Sequence, residues 1–159
     1  MKRVLIVGSC LLLVAAGGAF ASSGMGIGGA FNLEIVGPSG AGATPGLSGL
    51  FSPPGVPIMI GAGAILGSDQ TSVLLTVDWW LYQQPLVWKL GIYIGPGLYL
   101  VIADPFQLGA RVPVGFQIFP LEPLEVFLEI APQLGIGFGD PVTFPEFSLV
   151  GALGVRFWF

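Results

Sequence analysis

The stretch Gln107-Leu108-Gly109-Ala110-Arg111-Val112-Pro113-Val114-Gly115-Phe116-Gln117-Ile118 alternates without a break. Leu108, Ala110, Val112, Val114, Phe116 and Ile118 are apolar, while the residues between them are polar, charged, glycine or proline. A period of two belongs to a strand with two unlike faces. The same period recurs elsewhere. Val73, Leu75, Val77, Trp79 and Leu81 stand against Ser72, Leu74, Thr76, Asp78 and Trp80. At the end of the chain, Phe147, Leu149, Gly151, Leu153, Val155, Phe157 and Phe159 stand against Ser148, Val150, Ala152, Gly154, Arg156 and Trp158.

The composition says which solvent surrounds these strands. The 159 residues are 53% hydrophobic and only 9% charged, whereas about a quarter of an ordinary soluble domain is charged. A bilayer is the natural setting. No apolar run of about twenty residues follows the start of the chain, and 14 prolines and 26 glycines interrupt it throughout. Helical spans are therefore excluded, since each interior proline costs a helix about 3 kcal/mol. The remaining way to satisfy every backbone group in lipid is a closed β-barrel.

The first residues read differently. Lys2 and Arg3 precede an apolar run from Val4 to Ala16, and Ala19-Phe20-Ala21 is a small-x-small cleavage site. This is the layout of a secretory signal peptide over residues 1–21, leaving 22–159 as one barrel domain. Removal takes two of the five basic residues and none of the nine acids, so the net charge of the mature part is 3 − 9 = −6. No basic patch is left for nucleic acid. The only cysteine, Cys10, leaves with the leader, and the chain has no histidine, which excludes disulfides and the common zinc sites. No cofactor is expected.

Eight strands are expected, at about 25–36, 44–53, 57–67, 72–82, 86–102, 106–119, 123–138 and 147–159, separated by Gly- and Pro-rich turns. The Gly-rich 44–53 segment fits either a strand or part of a loop over 37–56, and an even strand number favours the strand. The fold class is an all-β, antiparallel, up-and-down transmembrane barrel.

The chain ends Gly154-Val155-Arg156-Phe157-Trp158-Phe159. With Gly154, Phe157 and Phe159 so spaced, this ending resembles the insertion signal of bacterial outer-membrane barrels, which the barrel assembly machinery reads. Size and strand number resemble the OmpA-type transmembrane domain. Arg111-Val112-Pro113-Val114-Gly115, with Leu124-Glu125-Val126-Phe127-Leu128-Glu129-Ile130-Ala131-Pro132, resembles a family of small barrels known mainly from spirochaetes. The resemblance implies an outer-membrane location with lipid as the main partner. If the ending sits at the periplasmic side, both termini are periplasmic. Turns near 54–56, 83–85 and 120–122 then share that side, and loops near 37–43, 67–71, 103–105 and 139–146 face outward. Trp79, Trp88 and Phe116 are expected in one aromatic girdle, with Phe138 and Phe147 in the other.

Lys89, Arg111 and Arg156 fall on the inward parity, as do Glu34, Asp78, Glu125 and Glu129. Symmetric turns would set Glu129 opposite Arg156, Arg111 diagonal to Glu129, and Asp78 diagonal to Lys89. Charges enclosed in a barrel of eight strands must pair, and side chains fill such a lumen. Enzymatic activity is not expected. The mature part holds no histidine or cysteine for a triad, and Glu125 and Glu129 on one strand stand about 13 Å apart, too far for glycoside chemistry. The function expected is a structural or surface-exposed outer-membrane barrel. The alternatives are a narrow channel for ions or small solutes, and a secreted soluble barrel around an apolar ligand.

Overall fold

A computed structural model describes residues 24–38, 40–68 and 70–159. The signal peptide expected over residues 1–21 lies outside them. Eleven strand segments are present: β1 (Gly26–Gly37), β2 (Gly40–Ser52), β3 (Ile58–Leu66), β4 (Thr71–Trp79), β5 (Tyr82–Val87), β6 (Leu90–Ile94), β7 (Gly97–Ile102), β8 (Phe106–Arg111), β9 (Val114–Leu121), β10 (Leu124–Phe138) and β11 (Thr143–Trp158). They make eight staves, because β4 runs on into β5, β6 into β7 and β8 into β9. Every pairing is antiparallel, and β11 closes the cylinder on β1 through ten residue pairs. The fold is a closed eight-stranded antiparallel barrel.

The pairing is staggered. Met59 lies level with Asp78, then Gly97, Arg111, Gln133 and Ser148. The row regains β1 beside Val36, which pairs with Leu149. The β1 residue paired with Ser52, near the β2–β3 turn, is Gly26. A stagger of about ten residues over eight strands goes with a strong strand tilt and an interior that side chains can fill.

The two faces are sorted as the alternation requires. Along β4, Val73, Leu75, Val77 and Trp79 are exposed outward, while Ser72, Leu74, Thr76 and Asp78 are buried inward. Along β10, Leu128, Ile130, Leu134 and Phe138 face out, and Glu125, Phe127, Glu129 and Gln133 face in. The outer wall is thus apolar, while the interior encloses charged and polar side chains together with a packed cluster of Met59, Trp80, Tyr93 and Phe127.

Three staves break at one oblique line. The breaks fall at Trp80-Leu81, Gly95-Pro96 and Val112-Pro113, and the line meets the unbroken β10 at Pro132. Across it, Trp79 N–H donates to the Pro96 carbonyl at 2.8 Å, Gly95 N–H to Pro113 at 3.4 Å, and Val112 N–H to Pro132 at 3.0 Å. Each proline accepts but cannot donate in return, which explains why the ladder is interrupted there.

Several boundaries differ from the sequence reading. The 44–53 segment is a strand, and it starts earlier, at Gly40, which pairs with Gly37 where a 37–43 loop was expected. Gln83-Gln84-Pro85 is not a turn but part of β5. The turn is Trp88-Lys89, between the paired residues Val87 and Leu90. Pro85 is tolerated because β5 pairs only with β6, leaving its other edge free, and an edge strand is one of the places where a sheet accepts proline. The β10–β11 connection is Gly139-Asp140-Pro141-Val142, shorter than the 139–146 loop expected.

Candidate functional site

The interior is filled at mid-height by one connected polar cluster. Arg156, on β11, is 2% exposed, and Glu125, opposite it on β10, is fully buried. Arg156 Nη1 donates to Glu125 Oε1 at 2.5 Å, and Arg156 Nη2 donates to Tyr93 Oη at 3.2 Å. The Tyr93 hydroxyl donates to Glu129 Oε2 at 2.7 Å, and Arg111 Nη2 donates to Glu129 Oε1 at 2.6 Å. Arg111 Nε lies 3.2 Å from Asp78 Oδ1, an ion pair not aligned as a hydrogen bond. At the other end of the chain of contacts, Trp158 Nε1 donates to Glu125 Oε2 at 2.7 Å. Charges withdrawn from water need such partners, and truncating one of them leaves the other buried and alone.

Aromatic rings collar the Arg156 head. Its guanidinium carbon lies 3.6 Å from the centroid of the Phe127 ring, 4.7 Å from Trp80 and 5.3 Å from Tyr93. Trp80 and Tyr93 stack with centroids 4.5 Å apart. A planar, weakly hydrated guanidinium suits this setting better than an ammonium would.

Glycines make the cluster possible. Asp78 and Arg111 sit two strands apart with Gly97 between them in the same row, and a Cβ there would strike the Asp78 carboxylate. Tyr93 reaches Glu129 across Gly115, whose Cβ would strike the Tyr93 ring. Phe127 lies against Gly154, where a Cβ would come 2.6 Å from its ring. Large and small residues thus alternate around the lumen wall, as the interior of a small barrel requires.

The cluster divides the lumen. On one side is a cavity of about 170 Å³ lined by Asn32, Glu34, Tyr99, Gln107, Gln133 and Ser148. On the other side, at the end that holds the C-terminus, is a cleft of about 460 Å³. Between them, beside Asp78, Arg111, Glu129 and Arg156, is a void of about 20 Å³, room for roughly one water.

The structure brings Asp78, Arg111, Glu125, Glu129 and Arg156 together and sets Glu34 apart in the smaller cavity. Two pairings differ from the expectation. Arg156 faces Glu125, while Glu129 faces Ala152, because the β10–β11 connection is shorter and centred earlier than supposed. Lys89 is not a lumen partner of Asp78. It sits in the exposed β5–β6 turn and donates to the Pro120 carbonyl at 2.9 Å, because the hairpin turns at 88–89 and not at 83–85. Tyr93, Trp80, Phe127 and Trp158, which join the charges to one another, were not among the expected site residues. Trp80 and Trp158 nevertheless stand on the same alternating parity as Asp78 and Arg156, and that was the available signal.

Trp79, Phe116, Phe138 and Phe147 project from the outer face. Trp88 projects from the tip of the β5–β6 hairpin, 89% exposed, and not from a strand. Phe157 packs beside Phe159, with ring centroids 5.8 Å apart. Gly154 faces inward against Phe127.

No family model and no curated protein matches the chain. Among solved structures it is similar to the crystal structure of Neisserial surface protein A, with a TM-score of 0.51 and 15% identity over 85% of this chain and 96% of that one. At that identity the likeness is one of fold, and it runs through almost the whole of the neighbour.

Proposed function

We propose that the protein is an outer-membrane β-barrel with a structural or surface-exposed role and a lumen closed by side chains, exported by the leader at residues 1–21 and inserted with both termini periplasmic. The observation that carries this reading is the apolar outer wall of a closed barrel that encloses charges. Ile27, Phe31, Val77, Leu98, Phe116, Leu128 and Ile130 are exposed on the outer wall, while both arginines of the described residues are enclosed. Such a wall suits lipid and would be a liability in water. It speaks against the secreted soluble barrel. The likeness to a surface protein supports the reading at the level of fold. Lipid is then the first partner, and the Gly154–Phe157–Phe159 ending is what the assembly machinery would read. Asp78, Glu125 and Glu129 are held in ion pairs within the lumen, which gives no support to an enzymatic role for them.

A narrow channel is the second reading, because cavities lie on either side of the plug and a small void lies within it. Planar-bilayer recording separates the two. The closed barrel is expected to give no current steps, and Trp80→Ala combined with Tyr93→Ala is expected to give brief ones. Steady open steps from the unaltered protein would transfer the assignment to the channel.

A further inference from the structure

The cleft at the C-terminal end has a composition that plugging the lumen does not require. Trp88, Phe119 and Trp158 contribute aromatic faces to it, and Gln83 and Gln117 contribute amides. Gln83 Nε2 donates to Gln117 Oε1 at 3.3 Å. Gln117 is only 5% exposed and lines the cleft, and its Nε2 is not enclosed without a partner. Gly91 leaves the space that this amide occupies, for a Cβ there would come 3.0 Å from Gln117 Nε2. The cleft is thus lined by both amides and aromatic rings.

Trp88 is the second observation. It is the first residue of a two-residue hairpin turn and has φ 54°, a left-handed position that such turns reserve for glycine or asparagine. A bulky side chain there is strained. Tryptophan is nevertheless held at the mouth of the cleft, 89% exposed, with Lys89 Nζ 5.6 Å from its ring.

The chemistry narrows the ligand. An anion meets a single cation, Lys89, whose charge is offset by Glu122 in the same cleft and which already donates to the Pro120 carbonyl. A hydrocarbon chain would cover Gln117 and leave its amide unpaired, which is costly. An added peptide strand would meet Pro85 on the free edge, where a donor is missing. A neutral molecule with an apolar face and hydrogen-bonding hydroxyl groups satisfies both the rings and the amides. The volume falls within the ordinary range for small-ligand sites.

We propose that this cleft is a saccharide-binding site, with Trp88 as a stacking platform at its mouth and Gln83 and Gln117 as the hydrogen-bonding floor. The proposal goes beyond the role given to the barrel and does not depend on whether the lumen conducts. It is tested with folded mature protein in an amine-oxide detergent, since maltoside detergents carry a sugar themselves. Cellobiose and N,N′-diacetylchitobiose are titrated in, and tryptophan emission is followed. At least one is expected to give a saturable change. Half-saturation should rise about tenfold, the loss of one stacking or hydrogen-bonding partner, in Trp88→Gly and in Gln117→Leu. Glycine suits the backbone at 88, so Trp88→Gly should fold, and unaltered gel mobility of the unboiled protein would verify it. No saturable change with either sugar would overturn the proposal, as would a change undiminished in both variants.

Discussion

Replacing Arg156 with methionine is expected to destabilise the folded barrel by about 3–5 kcal/mol, read as a fall in the urea midpoint of vesicle-inserted protein. The size follows from what remains. Arg156 binds Glu125 and Tyr93 and is packed between the rings of Phe127 and Trp80. Methionine restores much of the volume but none of the charge, so Glu125, fully buried, keeps only the Trp158 indole as a partner. Adding Glu125→Gln should recover a substantial part of the loss, because the carboxylate that needed compensation is gone. Residues in one network are strongly non-additive in this way. If the double variant were simply the sum of the two singles, Arg156 and Glu125 would not be acting as a pair.

Ile130→Arg tests the outer wall. Ile130 lies in the middle of β10, faces outward at 51% exposure and is flanked by Val114 and Gly151. On a wall facing lipid, an arginine near the bilayer midplane costs about 2–4 kcal/mol. On a wall facing water, the same change stays within about 0.5 kcal/mol. The urea midpoint in vesicles is expected to fall accordingly. A midpoint unmoved by Ile130→Arg would mean that the apolar face does not meet lipid.

How much of this was legible in the sequence differs from one level to the next. Strand number and the sorting of the faces were readable, because a period of two is a property of the chain itself and survives errors in strand ends. Which charges meet was only partly readable. Arg111 and Glu129 come together, but the Arg156 partner is decided by the length of the 139–142 connection. A register inferred from a symmetric loop shifts whenever that loop tightens. The β5–β6 hairpin was hidden for a different reason. Its turn, Trp88-Lys89, carries no glycine, asparagine or proline, whereas Gln83-Gln84-Pro85, which lies within β5, has the composition of a turn. The abundance of glycine was visible from the start, yet its purpose was not. Gly97 and Gly115 clear the way for contacts that skip a strand, and the skip exists only once the barrel has closed.

The most direct test of a closed, lipid-facing barrel is the gel mobility of the detergent-folded mature protein, unboiled against boiled, with far-UV circular dichroism of the same sample. Ten β1–β11 pairs closing the cylinder and an enclosed ion-pair network should resist detergent, so the unboiled protein is expected to migrate apart from the boiled one and to give a β spectrum. Identical migration, together with solubility in the absence of detergent or a helical spectrum, would contradict the membrane barrel.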